Sequence, residues 1–158
     1  MSETQRLTLT LTQESDYVFR IAFDDSAIPD LITDESAPLG SDRGPSPSRL
    51  LLAAVANCLS ASLLFALRKF KNAPGTLVTH ADAELSRNAE GRLRVARITV
   101  TLDLPEAAGD YHQIERLLQQ FEQFCVVTES VRHGVPVEVR VRDAQGALLH
   151  ESVPAGHA

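Results

Sequence analysis

The chain opens on a two-residue rhythm. Leu7-Thr8-Leu9-Thr10-Leu11-Thr12 alternates apolar and polar positions, which predicts a strand with one buried face. A polar turn from Gln13 to Asp16 leads into Tyr17-Val18-Phe19-Arg20-Ile21-Ala22-Phe23, a second strand, and Ile28 to Thr33 adds a short third. The rhythm is then lost. Residues 37–47 are rich in Pro, Gly, Ser and Asp and read as a loop.

A different pattern follows. Ser46 suits a helix N-cap and Pro47 the first helical position, and the run continues to about Lys71, where Asn72-Ala73-Pro74-Gly75 stops it. From Leu50 to Leu67 there is no formal charge, and apolar residues fall on nearly every side. Length alone permits a membrane span. Asn57, Cys58, Ser60 and Ser62 interrupt the run, and the favoured reading is a buried core helix. Its Ala and Ser positions allow close backbone approach. One small domain can hardly cover such a helix, so the pattern predicts a homodimer.

Beyond it the two-residue period returns in Val78 to Arg87 and Val95 to Leu104, joined around Asn88-Ala89-Glu90-Gly91, a good hairpin turn. Asp110 with Gln113 has the spacing of a capping box, and Ile114, Leu117, Leu118, Phe121 and Phe124 keep helical spacing to about Phe124. A short helix follows Cys125 and ends at His133-Gly134, with Pro136 beyond as a breaker. Val137 to Val141 alternates again, Ala144-Gln145-Gly146 turns, and a last strand runs near Leu148 to Val153, followed by a frayed tail. Strands, a long helix, more strands and more helices predict an α+β fold, read as one domain over residues 1–158.

Charge and composition narrow the function classes. A net charge of −6 disfavours nucleic acid or an anionic membrane as a partner, because those surfaces require clustered Lys and Arg. Residues 1–12 contain no long apolar block, so no secretory signal is read there and a cytoplasmic protein is expected. The five histidines lack ligand spacing and two cysteines do not make a zinc site, so neither metal nor cofactor is expected.

The cysteines carry the chemistry. Cys58 lies inside the apolar helix and Cys125 at a helix junction, Phe121-Glu122-Gln123-Phe124-Cys125-Val126-Val127-Thr128. In a cytosolic chain a permanent disulfide is unexpected, and two thiols so placed suggest redox chemistry. Cys58 taken alone reads first as a small packed hydrophobe, and Cys125 alone reads likewise as a residue packed under Phe121 and Phe124.

The run Gly44-Pro45-Ser46-Pro47-x-x-Leu50-Leu51-Leu52-Ala53-Ala54-x-Ala56-x-Cys58 resembles the central-helix signature of the OsmC/Ohr family, the osmotically inducible protein C and organic hydroperoxide resistance proteins. Cys125, the short helix after it, and Gly134-x-Pro136-Val137-x-Val139 are similar to the family's C-terminal half. The resemblance implies an intertwined α+β homodimer with antiparallel sheets around a long buried central helix. It implies a cysteine-based peroxidase that reduces organic hydroperoxides and is regenerated by a dithiol reductant. Cys58 corresponds to the peroxidatic cysteine and Cys125 to the resolving one. The chain departs from the family in two places. Ser48 and Arg49 stand where well-studied members carry a carboxylate, and Val126 replaces the proline that often follows the second cysteine. That missing acid sustains an alternative, a non-catalytic small-molecule-binding or redox-sensing protein on the same scaffold.

A thiol peroxidase also needs a cation to favour the thiolate. Residues 53–63 contain none. Arg43, on the loop before the helix, is the first candidate, and the family's arginine comes from that loop. Arg49 is the second. Nine residues of helix rise about 13.5 Å and turn about 180°, so Arg49 reaches Cys58 only across a dimer interface or if the first turn bends away. Arg20 is a third option. Arg43 and Arg49 read equally well as solvated side chains or dimer contacts. His80, His112 and His133 are expected at the surface, Glu122 and Glu129 on a solvated face, and Phe65, Phe121 and Phe124 in the core.

Overall fold

A computed structural model of the protein describes residues 5–134 and 137–153. Pro136, expected to break the chain after the second short helix, and the tail expected to fray lie outside the described residues. The chain divides into two compact units, one through Leu51 and the other from Leu52 onward.

The N-terminal unit holds a three-stranded antiparallel sheet in the order β1-β2-β3, with β1 Leu9–Ser15, β2 Val18–Phe23 and β3 Leu31–Thr33. The turn is tighter than the sequence suggests. β1 runs on through Ser15, with a register shift after Gln13, and Asp16 reverses the chain at φ 43°. The leucine face of β1 was expected to be buried, yet Leu9 is 50 % exposed and Leu11 52 %. The alternation makes the strand, but β1 is the edge of the three-stranded sheet and is exposed along its whole length.

The loop after β3 is organised by Asp34, which is buried. Its carboxylate accepts hydrogen bonds from the N–H groups of Glu35 (2.8 Å), Ser41 (3.0 Å) and Arg43 (3.1 Å) and from the Ser41 hydroxyl (2.8 Å). Burial works against its ionisation. The Ser41 hydroxyl and then the three N–H groups outweigh that and hold the carboxyl at about 2. The loop closes so tightly that a Cβ on Gly40 would sit 2.1 Å from the Glu35 carbonyl oxygen.

Helix α1, Pro47–Lys69, starts where the cap predicts. The Ser46 hydroxyl accepts from the Arg49 N–H at 3.5 Å. It ends as Lys71 turns left-handed at φ 62° and the Asn72 N–H bonds the Leu67 carbonyl at 2.9 Å. The helix is long and apolar enough to cross a membrane by length and composition. Within the single chain its burial is one-sided, in line with the expectation that one small domain hardly covers it. Val55, Leu59, Leu63, Ala66 and Leu67 form one inward stripe, while Ala54, Asn57, Ala61 and Phe65 lie exposed on another.

The second unit is built on a four-stranded sheet, β4-β5-β6-β7, with β4 Val78–Arg87, β5 Leu93–Asp103, β6 Val137–Arg142 and β7 Leu148–Ser152. The hairpin turn is as predicted. Asn88 Oδ1 accepts from the N–H groups of Glu90 and Arg92, and Gly91 takes φ 76°. The expected antiparallel pairing needs one correction, because β5 and β6 run parallel, with Ile98 beside Val137, Val100 beside Val139 and Leu102 beside Val141. These six side chains are buried together, so this face of the sheet is apolar core.

The crossover from β5 to β6 carries the remaining helical segments. The sequence predicts one helix capped by Asp110. The chain instead makes a 3-10 turn at Ala108–Asp110, a helix α2 at Ile114–Leu118, a second 3-10 turn at Phe121–Phe124, and α3 at Val126–Arg132. Asn72 explains the displaced start. Its side chain accepts from the His112 N–H at 2.7 Å and donates to the His112 carbonyl at 3.1 Å, and Gln113 then enters α2 at φ 52°. A tertiary clamp on the backbone overrides the local capping signal.

Candidate functional site

Both cysteines belong to the second unit, and both thiols are free. Cys58 sits on α1 between buried Val55 and Leu59 and is itself half-buried. Cys125 occupies the single residue between the 3-10 turn and α3 and is fully buried. Its N–H donates to the Glu122 carbonyl at 2.9 Å and its carbonyl accepts from the Glu129 N–H at 3.0 Å, so the backbone is fixed from both sides.

The fold brings the two thiols together. Burial pushes the Cys125 thiol above its ordinary value, and the adjoining Cys58 thiol adds to this as a hydrogen-bond partner and as negative charge. Thr128 pulls the other way through its hydroxyl and its N–H. The Cys125 S–H donates to Thr128 Oγ1 at 2.8 Å, and Thr128 is fully buried. A half-buried thiol beside an enclosed one can be oxidised from outside and then form a disulfide with its neighbour. Thr128 was missed in the sequence. Its signal is the spacing Cys125-x-x-Thr128 at a helix start, which places the hydroxyl over the preceding turn.

Glu122 does not lie on a solvated face. It is 8 % exposed, and its carboxylate receives Arg132 Nη2, His150 Nε2 and the Ser152 hydroxyl (2.9 Å). Burial works against the charged form, but the hydrogen bonds from His150 and Arg132, backed by positive charge there, hold the carboxyl below the usual carboxylate range. Sequence reading missed the group because its members are scattered over 30 residues and meet only when β7 joins the sheet.

The two candidate arginines belong to the N-terminal unit, where each has acidic company. Arg43 Nη2 lies 4.0 Å from Glu14, and Arg49 Nη1 lies 3.6 Å from Asp42 and 3.3 Å from the Ser36 hydroxyl. Arg20 pairs with Glu14 and Asp30. His80, His112 and His133 are exposed. The expected aromatic core is split. Phe121 is buried edge-on to His150 at 5.3 Å, whereas Phe65 is 63 % and Phe124 60 % exposed, with Lys69 Nζ 5.9 Å from the Phe124 ring. Together with Ala66, Phe70 and Leu117 these rings line a shallow apolar groove on the second unit.

The structure is thus an α+β chain with two adjoining, unbridged thiols. Residues 40–140 match the family model described as OsmC-like protein, so the chain belongs to the OsmC-like family. No curated protein matches it. Solved structures do. An organic hydroperoxide resistance protein from Elizabethkingia anophelis has a TM-score of 0.71 at 16 % identity, covering 90 % of this chain and 99 % of its own. An OsmC-like protein from Mycoplasma pneumoniae has a TM-score of 0.69 at 16 % identity over 90 % and 99 %. The organic hydroperoxide resistance protein OhrB of Bacillus subtilis has a TM-score of 0.63 at 17 % identity over 85 % and 98 %. At these identities the likeness establishes the α+β fold.

Proposed function

We propose that this protein is a thiol-dependent peroxidase that reduces organic hydroperoxides through Cys58 and Cys125. The observation that carries the reading is the pairing of a half-buried Cys58 with an enclosed, hydrogen-bonded Cys125. The family and the names of its solved members, organic hydroperoxide resistance proteins, support it.

The Cys58 thiolate attacks the terminal oxygen of R–O–O–H. An S–O bond forms, the O–O bond breaks, and the alkoxide takes a proton to leave as alcohol, so Cys58 becomes a sulfenic acid. Cys125 then attacks that sulfur. The S–S bond forms, the S–O bond breaks, and hydroxide leaves with a proton as water. An external dithiol reduces the disulfide by two exchanges and restores both thiols. In this reading Arg43 first, and Arg49 second, supplies the cation for the Cys58 thiolate, from either subunit of a homodimer. The exposed stripe Ala54, Ala61 and Phe65 on α1 supports that dimer, because small residues with one aromatic suit close helix pairing.

A second reading, a redox-sensing or small-molecule-binding protein, draws on one observation. Glu14 and Asp42 already accompany the two arginines. Consumption of tert-butyl hydroperoxide with dithiothreitol as reductant separates the two. Multiple turnovers that vanish in Cys58→Ser support the peroxidase, and absent turnover with a reversible disulfide supports the sensor.

A further inference from the structure

We infer that Glu122 is a positioning residue for Cys125, its buried carboxylate clamping the chain on both sides of that thiol so that the sulfur faces Cys58. The inference rests on the dithiol reading of the site.

The connections run in two directions from one residue. Through its backbone, the Glu122 carbonyl accepts the Cys125 N–H at 2.9 Å, so carboxylate and thiol share one turn. Through its side chain, Glu122 bonds Arg132, the last residue of α3, and thereby grips the helix that begins directly after Cys125. The same carboxylate is anchored to β7 by His150 and by Ser152, and Arg132 Nη2 also reaches Ser152 at 3.2 Å. Arg132 Nη1 pairs with Glu129 at 2.5 Å along α3. The flanks of Cys125 are therefore tied to each other and to the strand at the sheet edge.

A buried ionic cluster is a weak device for stability, since apolar replacements of similar volume are often neutral or better. It is a strong device for fixing geometry, because every member has directional partners. Geometry is what this thiol requires. A disulfide tolerates only a narrow range of Cα separations and torsions, and the effective concentration of one thiol at another falls steeply as either becomes loose.

The test is the equilibrium between dithiol and Cys58–Cys125 disulfide in glutathione redox buffers, read on the full-length protein by alkylation and mass spectrometry. Glu122→Gln keeps the volume and removes the charge. It is expected to lower the disulfide-forming equilibrium constant about tenfold, raising the reduction potential by about 30 mV. Ser152→Ala, which removes one donor, shifts it less and in the same direction. A wild-type potential in a folded Glu122→Gln protein overturns the inference. If that variant does not fold, His150→Gln and Ser152→Ala decide, and wild-type potentials in both overturn it. This equilibrium contains no hydroperoxide, so it stands or falls separately from the peroxidase reading.

Discussion

At residue scale, the two sulfurs differ in what reaches them. Cys58 is half-buried and Cys125 is enclosed beside Thr128. Cys58→Ser is therefore expected to abolish hydroperoxide consumption. Cys125→Ser is expected to leave one turnover per subunit, with a sulfenic acid that persists or over-oxidises. Rapid quench with thiol-reactive labelling reads both. Sulfenic acid on Cys125 in the Cys58→Ser protein, with none on Cys58 in the other variant, would reverse the roles. Thr128→Val removes the hydroxyl that lowers the Cys125 thiol, so disulfide closure should shift to higher pH, at a stability cost of about 1 kcal/mol for the lost buried hydrogen bond. An unmoved pH profile of closure would assign Thr128 to packing alone. The two cysteines were legible in the sequence because they come as a pair, one in a run that resembles the family's central-helix signature and one at a helix junction. Thr128, Glu122 and His150 were not, because their importance arises from contacts made only after the crossover closes.

At the scale of elements, periodicity located strands and helices well, and local capping signals fared unevenly. Ser46-Pro47 starts α1, with the Ser46 hydroxyl accepting from the Arg49 N–H, whereas Asp110 fails to cap because Asn72 holds His112. Periodicity could not tell which apolar face finds a partner within the chain, hence the exposed leucines of β1 and the half-covered α1. The acidic clamps make a further expectation. Glu122 and Asp34 both have lowered carboxyls, so the unfolded chain binds protons more readily there and stability is lost as the pH is lowered. The Glu122 contribution is complete above the usual glutamate value of ~4.3 and fades below it, and that of Asp34 fades from ~3.9 toward about 2. Urea midpoints from pH 7 downward should drop across this window. Glu122→Gln should flatten the upper part of the drop, and an unchanged slope in that variant would remove Glu122 from the acid response.

At the scale of the whole molecule, the exposed stripe of α1, with Phe65 in it, is accompanied by exposed Phe124 and Val126. Exposed apolar surface of this kind marks an interaction face. The wild-type protein is expected to sediment as a dimer at micromolar concentration. Ala61→Arg, placing a charge in the middle of the stripe, should shift it to monomer by about tenfold or more in dissociation constant. A folded, stable wild-type monomer at that concentration would contradict the dimer.

The central claim, that Cys58 and Cys125 form one redox pair, is tested most directly by intact and peptide mass spectrometry after one equivalent of an alkyl hydroperoxide without reductant. The account predicts loss of two hydrogens and a single Cys58–Cys125 cross-linked peptide, reversed by a dithiol. Two unmodified thiols after that treatment, or oxygen adducts with no cross-link, would contradict it.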